Sequence, residues 1–194
     1  MLKYILLCIL AISGYYAWSI YPIKHGPGVT NPERPIMQLT AWEKPFSYKG
    51  NTLNPQKRYK SDVRVLQKRR YLFDDRSELS PVDILVGWDE MSDERNIEFI
   101  HFSMSDREAR LEFTKPPIPV ESINKQIEHL HLIPSSKEIK DQIHSLRQGS
   151  KVKLEGIIVN VESVDNYNWA STLTNSNTES YRKMILWVES IRVD

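Results

Sequence analysis

The sequence is short of cysteine, glycine and net charge, and each shortage excludes something. One residue in 194 is cysteine, Cys8, so no disulfide forms within the chain and no cysteine-based zinc site can be built. Seven glycines against eleven prolines point to stiff connections. Lys and Arg number 26 against 25 Asp and Glu, and Lys3 is the only charge before Lys24. The rest of the chain is therefore neutral, which argues against a dedicated nucleic-acid binder, whose affinity would rest on a basic face. An HExxH zinc motif and the alternating acidic ligands of an EF-hand loop are also missing.

The first feature present is the uncharged stretch YILLCILAISGYYAWSI, residues 4–20. Its 17 residues are about the minimum for crossing a hydrocarbon core. Tyr15, Tyr16, Trp18 and Tyr21 crowd its far end like an interfacial aromatic belt. The expectation is a transmembrane signal-anchor over 1–22 that meets the lipid bilayer through residues 4–20, with the N-terminus cytoplasmic and the bulk outside. A cleaved signal peptide competes with it, but Ala17 to Ser19 make a poor small-x-small site. Residues 23–57 carry Pro27, Pro32, Pro35, Pro45 and Pro55 and read as a Pro-rich extracytoplasmic tether, its later part pinned by Trp42, Phe46 and Tyr48. Residues 58–194 read as an extracytoplasmic domain.

Within that domain the clearest pattern runs from Pro119 to Val161. Ser135 or Ser136 caps a helix in which Ile139, Ile143 and Leu146 share a face, and Gly149 supplies a left-handed stop. An alternating run from Val152 then becomes continuously apolar to Val161, as a strand does when it passes from half-exposed to buried. Val120 to Leu130 reads as a short helix, and Ile97 to Met104 as a strand. Tyr167 to Leu173 and Met184 to Val193 read as closing strands. The fold class expected is α+β: an N-terminal transmembrane helix, then a small mixed domain with an antiparallel sheet that can close part-way into a barrel.

Candidate sites are few. His129 and His131 are two apart and would present both rings to one face on a strand, a low-order zinc signal; on a helix or connector they would be ordinary core residues. Asp89, Glu90, Asp93 and Glu94 are grouped, but their spacing suits solvated charge or partners for the basic run Lys57 to Tyr71 better than a Ca²⁺ loop. Ser171, Thr172 and Thr174 have no base placed beside them. No catalytic set and no cofactor are expected.

Several stretches together carry a resemblance: HGPGV (25–29), SPVDILVGWDEMSD (80–93), HLHLIP (129–134), GSKVKLEG (149–156) and NWASTLT (168–174). With the aromatic-flanked apolar start, they resemble a family of small bacterial membrane-tethered proteins without assigned function. The resemblance implies an inner-membrane, periplasmic protein and nothing about substrate. Where that family carries a Gly-rich loop with a Cys-Glu pair before the last strand, this chain has SYRKM, so no catalytic cysteine stands there. The leading reading is a non-enzymatic interaction or assembly component of the cell envelope, with a protein partner meeting Asp83, Trp88, Asp89, Met91 and Asp93. The alternatives are a metal-dependent hydrolase using His129, His131 and carboxylates near Asp89, and an oligonucleotide-binding barrel using Tyr167, Trp169 and the basic run.

Overall fold

A computed structural model describes residues 2–39, 43–163, 168–173 and 181–194. Trp42, Tyr167 and Thr174 lie outside these residues. The chain begins with α1 (Leu2–Ile20), then β1 (Ile36–Leu39), β2 (Phe46–Tyr48) and a 20-residue strand, β3 (Asn51–Arg70). β4 (Val82–Gly87) leads through a 3₁₀ turn and α2 (Glu94–Ile97) to a separate hairpin of β5 (His101–Ser105) and β6 (Glu108–Glu112). α3 (Val120–Lys125), β7 (Ile127–Pro134), α4 (Lys137–Ser145), β8 (Lys151–Ser163), β9 (Asn168–Trp169) and β10 (Arg182–Val193) complete it.

β3 is long enough to belong to two neighbours at once. Residues 51–64 pair with β8 and residues 64–70 with β4, with register shifts at Pro55/Lys57 and Val65/Gln67 that let the strand bend. Proline, which has no N–H for the ladder, sits at the first of these irregularities. The double pairing closes a ring, β3-β4-β7-β10-β8-β3. The sheet is mixed rather than antiparallel, because β10 inserts between β7 and β8: it runs antiparallel to β8 and therefore parallel to β7. In chain order the ring strands are β3, β4, β7, β8 and β10, with α4 between the third and fourth of them.

The interior is filled by alternate residues of every barrel strand, among them Tyr59, Val63, Ile84, Val86, Leu130, Leu132, Leu154 and Leu186. Ile143 and Leu146 from the α4 segment plug one end. Ser136 caps that helix by accepting from the Ile139 N–H, a contact worth about 1 kcal/mol. Glu128 is also interior, held by Arg182 and, at 2.9 Å, by the Tyr59 hydroxyl; burial pushes its carboxyl up despite the arginine. The remaining side chains of β4 and β7 point outward, yet both strands are buried along their whole length. Their outer face is covered by the chain between them, chiefly the β5–β6 hairpin, and by Trp169.

Three sequence expectations are corrected here. No helix among the described residues is long and apolar enough to cross a membrane. That overturns the transmembrane signal-anchor and the single-pass inner-membrane location, and with them the ground for placing the bulk in the periplasm. Within α1 the apolar run Ile5 to Ile12 is interrupted by Ser13 and Gly14. Second, the helix expected over Val120 to Leu130 stops at Lys125, and Ile127 onward is strand, so Ile123 and Ile127 share a cluster without sharing a helix. Third, the strand expected over Ile97 to Met104 begins only at His101.

The segment read as a tether runs along the domain. The Ile23 N–H donates to Gln148 O at 2.8 Å, His25 Nε2 lies 2.7 Å from Gly149 O, and the Gly28 N–H donates to Asp93 at 3.0 Å. Gly149, at φ +87°, takes the left-handed turn that permits this; a Cβ there would stand 1.9 Å from Ile23 O.

Candidate metal centre on the outer barrel face

β4 and β7 pair antiparallel, with Asp83 directly opposite His131 and Leu85 opposite His129. Because side chains alternate along a strand, Val82, Ile84 and Val86 fill the barrel and Asp83 projects outward. In β7 the same alternation sends Leu130 and Leu132 inward and His129 and His131 outward. The carboxylate and both rings therefore converge at one point on the outer face. Asp83 and His129 are fully buried and His131 is 4% exposed.

His131 Nδ1 lies 2.9 Å and His129 Nε2 3.5 Å from the same oxygen, Asp83 Oδ2. At these distances the two rings and the carboxylate contact one another, and no group outside the cluster pairs with Asp83 Oδ2, His131 Nδ1 or either His129 ring nitrogen. Four such atoms in one cluster are an expensive arrangement, each costing about 1–3 kcal/mol if left unsatisfied. Burial, with His129 and Arg107 beside it, holds the pKa of His131 below its ordinary value against the opposing Asp83 carboxylate. Burial alone would raise the Asp83 carboxyl, but the two rings beside it hold it well below the ordinary range.

Comparison with protein families, curated proteins and solved structures gives no match. The chemistry of the site has to be read from its own geometry.

The other oxygen of Asp83 is occupied. Arg107 donates from Nη1 to Asp83 Oδ1 at 2.8 Å and to the Ser80 carbonyl at 2.8 Å. Its Nε and Nη2 grip both oxygens of Asp74 at 3.1 and 2.8 Å. The guanidinium also lies 3.7 Å above the Tyr71 ring. Arg107 stands at the tip of the β5–β6 hairpin, where Asp106 and Arg107 both have positive φ, as a two-residue type I′ turn requires. Gln67 donates to Phe102 O at 2.7 Å and Tyr181 to Ala109 O, and these bonds fasten the hairpin down. Trp169 closes the remaining side, its ring 4.6 Å from that of His131.

Asp83, His129 and His131 form the one convergent group of potential metal ligands among the described residues, their donor atoms all within 4.8 Å of one another. The sequence named the two histidines but looked to the acids near Asp89 for the carboxylate. Those acids are engaged elsewhere: Asp93 caps α2 and binds Arg95 and Gly28, and Glu94 pairs with the buried Arg64 at 2.5 Å. Of the interaction surface expected at Asp83, Trp88, Asp89, Met91 and Asp93, only Asp89 is exposed. Trp169 is buried against His131 and Arg76, and the outer β4–β7 face is covered, so neither offers a stacking platform to a nucleic acid. Ser171 spends its hydroxyl donating to Val159 O and accepting from the Ile185 N–H. Sequence reasoning missed Arg107 and Asp74 altogether. The one available cue was the alternation V-D-I-L-V facing H-L-H-L, in which polar residues fall on a single face of two apolar strands.

Proposed function

We propose that this barrel binds one divalent transition-metal ion through Asp83 Oδ2, His129 Nε2 and His131 Nδ1. The observation that carries the reading is the convergence of three buried ligand atoms that have no partner outside their own cluster. Two ligands about 2.0–2.1 Å from an ion lie about 2.9 Å apart at a right angle and about 3.4 Å apart at the tetrahedral angle. The two spacings from Asp83 Oδ2, 2.9 and 3.5 Å, are near these values, and all three donor atoms lie within 4.8 Å of one another. Two imidazoles and one carboxylate are the donors that zinc and first-row neighbours such as iron and cobalt take.

Three protein ligands leave a coordination position open, which is the arrangement of a catalytic rather than a closed structural site. Hydrolysis also needs a path for substrate. Four surface grooves among the described residues are lined by other side chains, and the ligands are buried beneath the hairpin and Trp169. Enclosure therefore favours metal binding over the hydrolase alternative. The test is the metal content of untagged protein, by plasma mass spectrometry and native mass spectrometry after incubation with Zn²⁺, Co²⁺ or Fe²⁺. One ion per chain is expected, lost in His131→Ala and Asp83→Asn. A wild-type protein that takes up no stoichiometric ion ends the reading.

A further inference from the structure

Resting on that metal-binding reading, we propose that Arg107 sets which ions the centre accepts, by holding Asp83 to a single ligand oxygen. A carboxylate has two oxygens and binds large, hard cations best when both are offered; Ca²⁺ takes six to eight oxygen ligands, often with bidentate carboxylates. In this barrel Oδ1 is committed to Arg107 at 2.8 Å, and only Oδ2 faces the histidines. The site therefore offers two nitrogens and one oxygen. That set suits Zn²⁺, Co²⁺ or Fe²⁺ and is poor for Mg²⁺ and Ca²⁺.

The restraint is rigid because every guanidinium nitrogen is used. Asp74 grips Nε and Nη2 side by side, Ser80 O and Asp83 share Nη1, and the Tyr71 ring lies against the plane. A paired fork of this kind fixes orientation as well as charge, and lysine, a point charge on a flexible stem, cannot reproduce it. The hairpin that carries Arg107 is inserted between β4 and β7, the two strands that carry the ligands, so ligand and restraint come from opposite sides of the site. Arg107 touches no ion in this arrangement. It is a positioning residue that acts through Asp83.

Its test is a ratio of affinities, which a purely structural role would not move. Co²⁺, Zn²⁺, Mn²⁺ and Ca²⁺ are titrated into metal-free wild type, Arg107→Gln and Asp74→Asn, with the visible Co²⁺ spectrum recorded in each. Arg107→Gln frees Oδ1, and the preference for Co²⁺ over Mn²⁺ and Ca²⁺ should narrow, by no more than the roughly 10–100-fold in affinity that losing an outer partner of a metal ligand costs. The Co²⁺ absorption should weaken as Asp83 becomes bidentate and the coordination number rises. Asp74→Asn loosens the arginine from its far side while leaving all three ligands and Arg107 in place. It should shift the ratio in the same direction by less, which keeps the proposal testable if Arg107→Gln folds poorly. Unchanged ratios and spectra in both variants, with a selective wild type, would overturn the role of Arg107 and leave the metal centre standing. A wild type that binds no transition ion sinks the parent reading before either variant is compared.

Discussion

The Asp83→Asn variant separates a metal centre from a merely buried polar cluster, because the two readings predict different dependences on added ion. Without metal, the asparagine keeps an oxygen toward Arg107 and turns an amide N–H₂ toward the two ring nitrogens. Arg107 retains its paired contact to Asp74. The contact to Arg107 weakens from charged to neutral, a cost of about 1.5–3 kcal/mol, while the new N–H₂ satisfies a ring nitrogen worth about 1–3 kcal/mol. For a chain of 194 residues each kcal/mol moves Tm by about 2–4 °C, so metal-free Asp83→Asn should melt within about 8 °C of metal-free wild type. With free Zn²⁺ at a hundred times Kd, wild type gains about 2.7 kcal/mol, or roughly 5–11 °C. The variant has lost its only anionic ligand and should gain almost nothing. Differential scanning fluorimetry with and without Zn²⁺, and with chelator added back, measures all four states. Equal shifts in wild type and variant would refute the reasoning, since the ion would then be binding elsewhere.

Two further outcomes follow from the barrel itself. A Cβ at Gly156 would stand 2.0 Å from Trp187 O and 3.1 Å from Trp187 C, where β8 meets β10 beside the register shift, and neither atom can move without breaking the ladder; Gly156→Ala should cost about 3 kcal/mol or more in urea unfolding, and a loss below 1 kcal/mol would mean that the strands are not so close. Arg95, more than the opposing burial, holds the Asp93 carboxyl well below its ordinary range, and the backbone N–H groups of Gly28 and Arg95 add to it. A group whose folded pKa is depressed contributes stability above about pH 4 that is lost as pH falls further. Asp93→Asn should therefore lower stability at pH 7 by about 1–3 kcal/mol and flatten the acid limb of the profile, and an unaltered acid limb would assign that limb to other carboxylates.

How far the sequence could be read depended on whether the relevant signal was local. The α4–β8 unit was legible because a capping serine, a helical stripe and a turn glycine are each fixed within a few residues of one another. β7 was not, since IEHLHLIP is buried on both faces and a short, fully buried run has no period to distinguish strand from helix. Ser80 and Pro81 with Asp83 three residues on have the form of a capped helix start, yet Pro81 only precedes the strand that carries Asp83. The candidate site was half legible. His129 and His131 fall on one face of any strand, but the partner carboxylate is set by the β4–β7 register, and the two residues are separated by the whole inserted hairpin. Two of the stretches that carried the family resemblance, SPVDILVGWDEMSD and HLHLIP, contain adjacent strands of one sheet, a proximity that neither stretch shows alone.

The inserted β5–β6 hairpin also has a kinetic consequence. It is held by Arg107 at its tip, Gln67 and Tyr181 along its flanks and an ion pair between Glu108 and Lys183, so exposing the three ligands means releasing several contacts together. Exchange of an ion in and out would then follow the opening rate of a backbone segment rather than the rate at which ions arrive. Loading should become independent of metal concentration once that opening is limiting, and an ion already inside should outlast brief exposure to a chelator far stronger than the site.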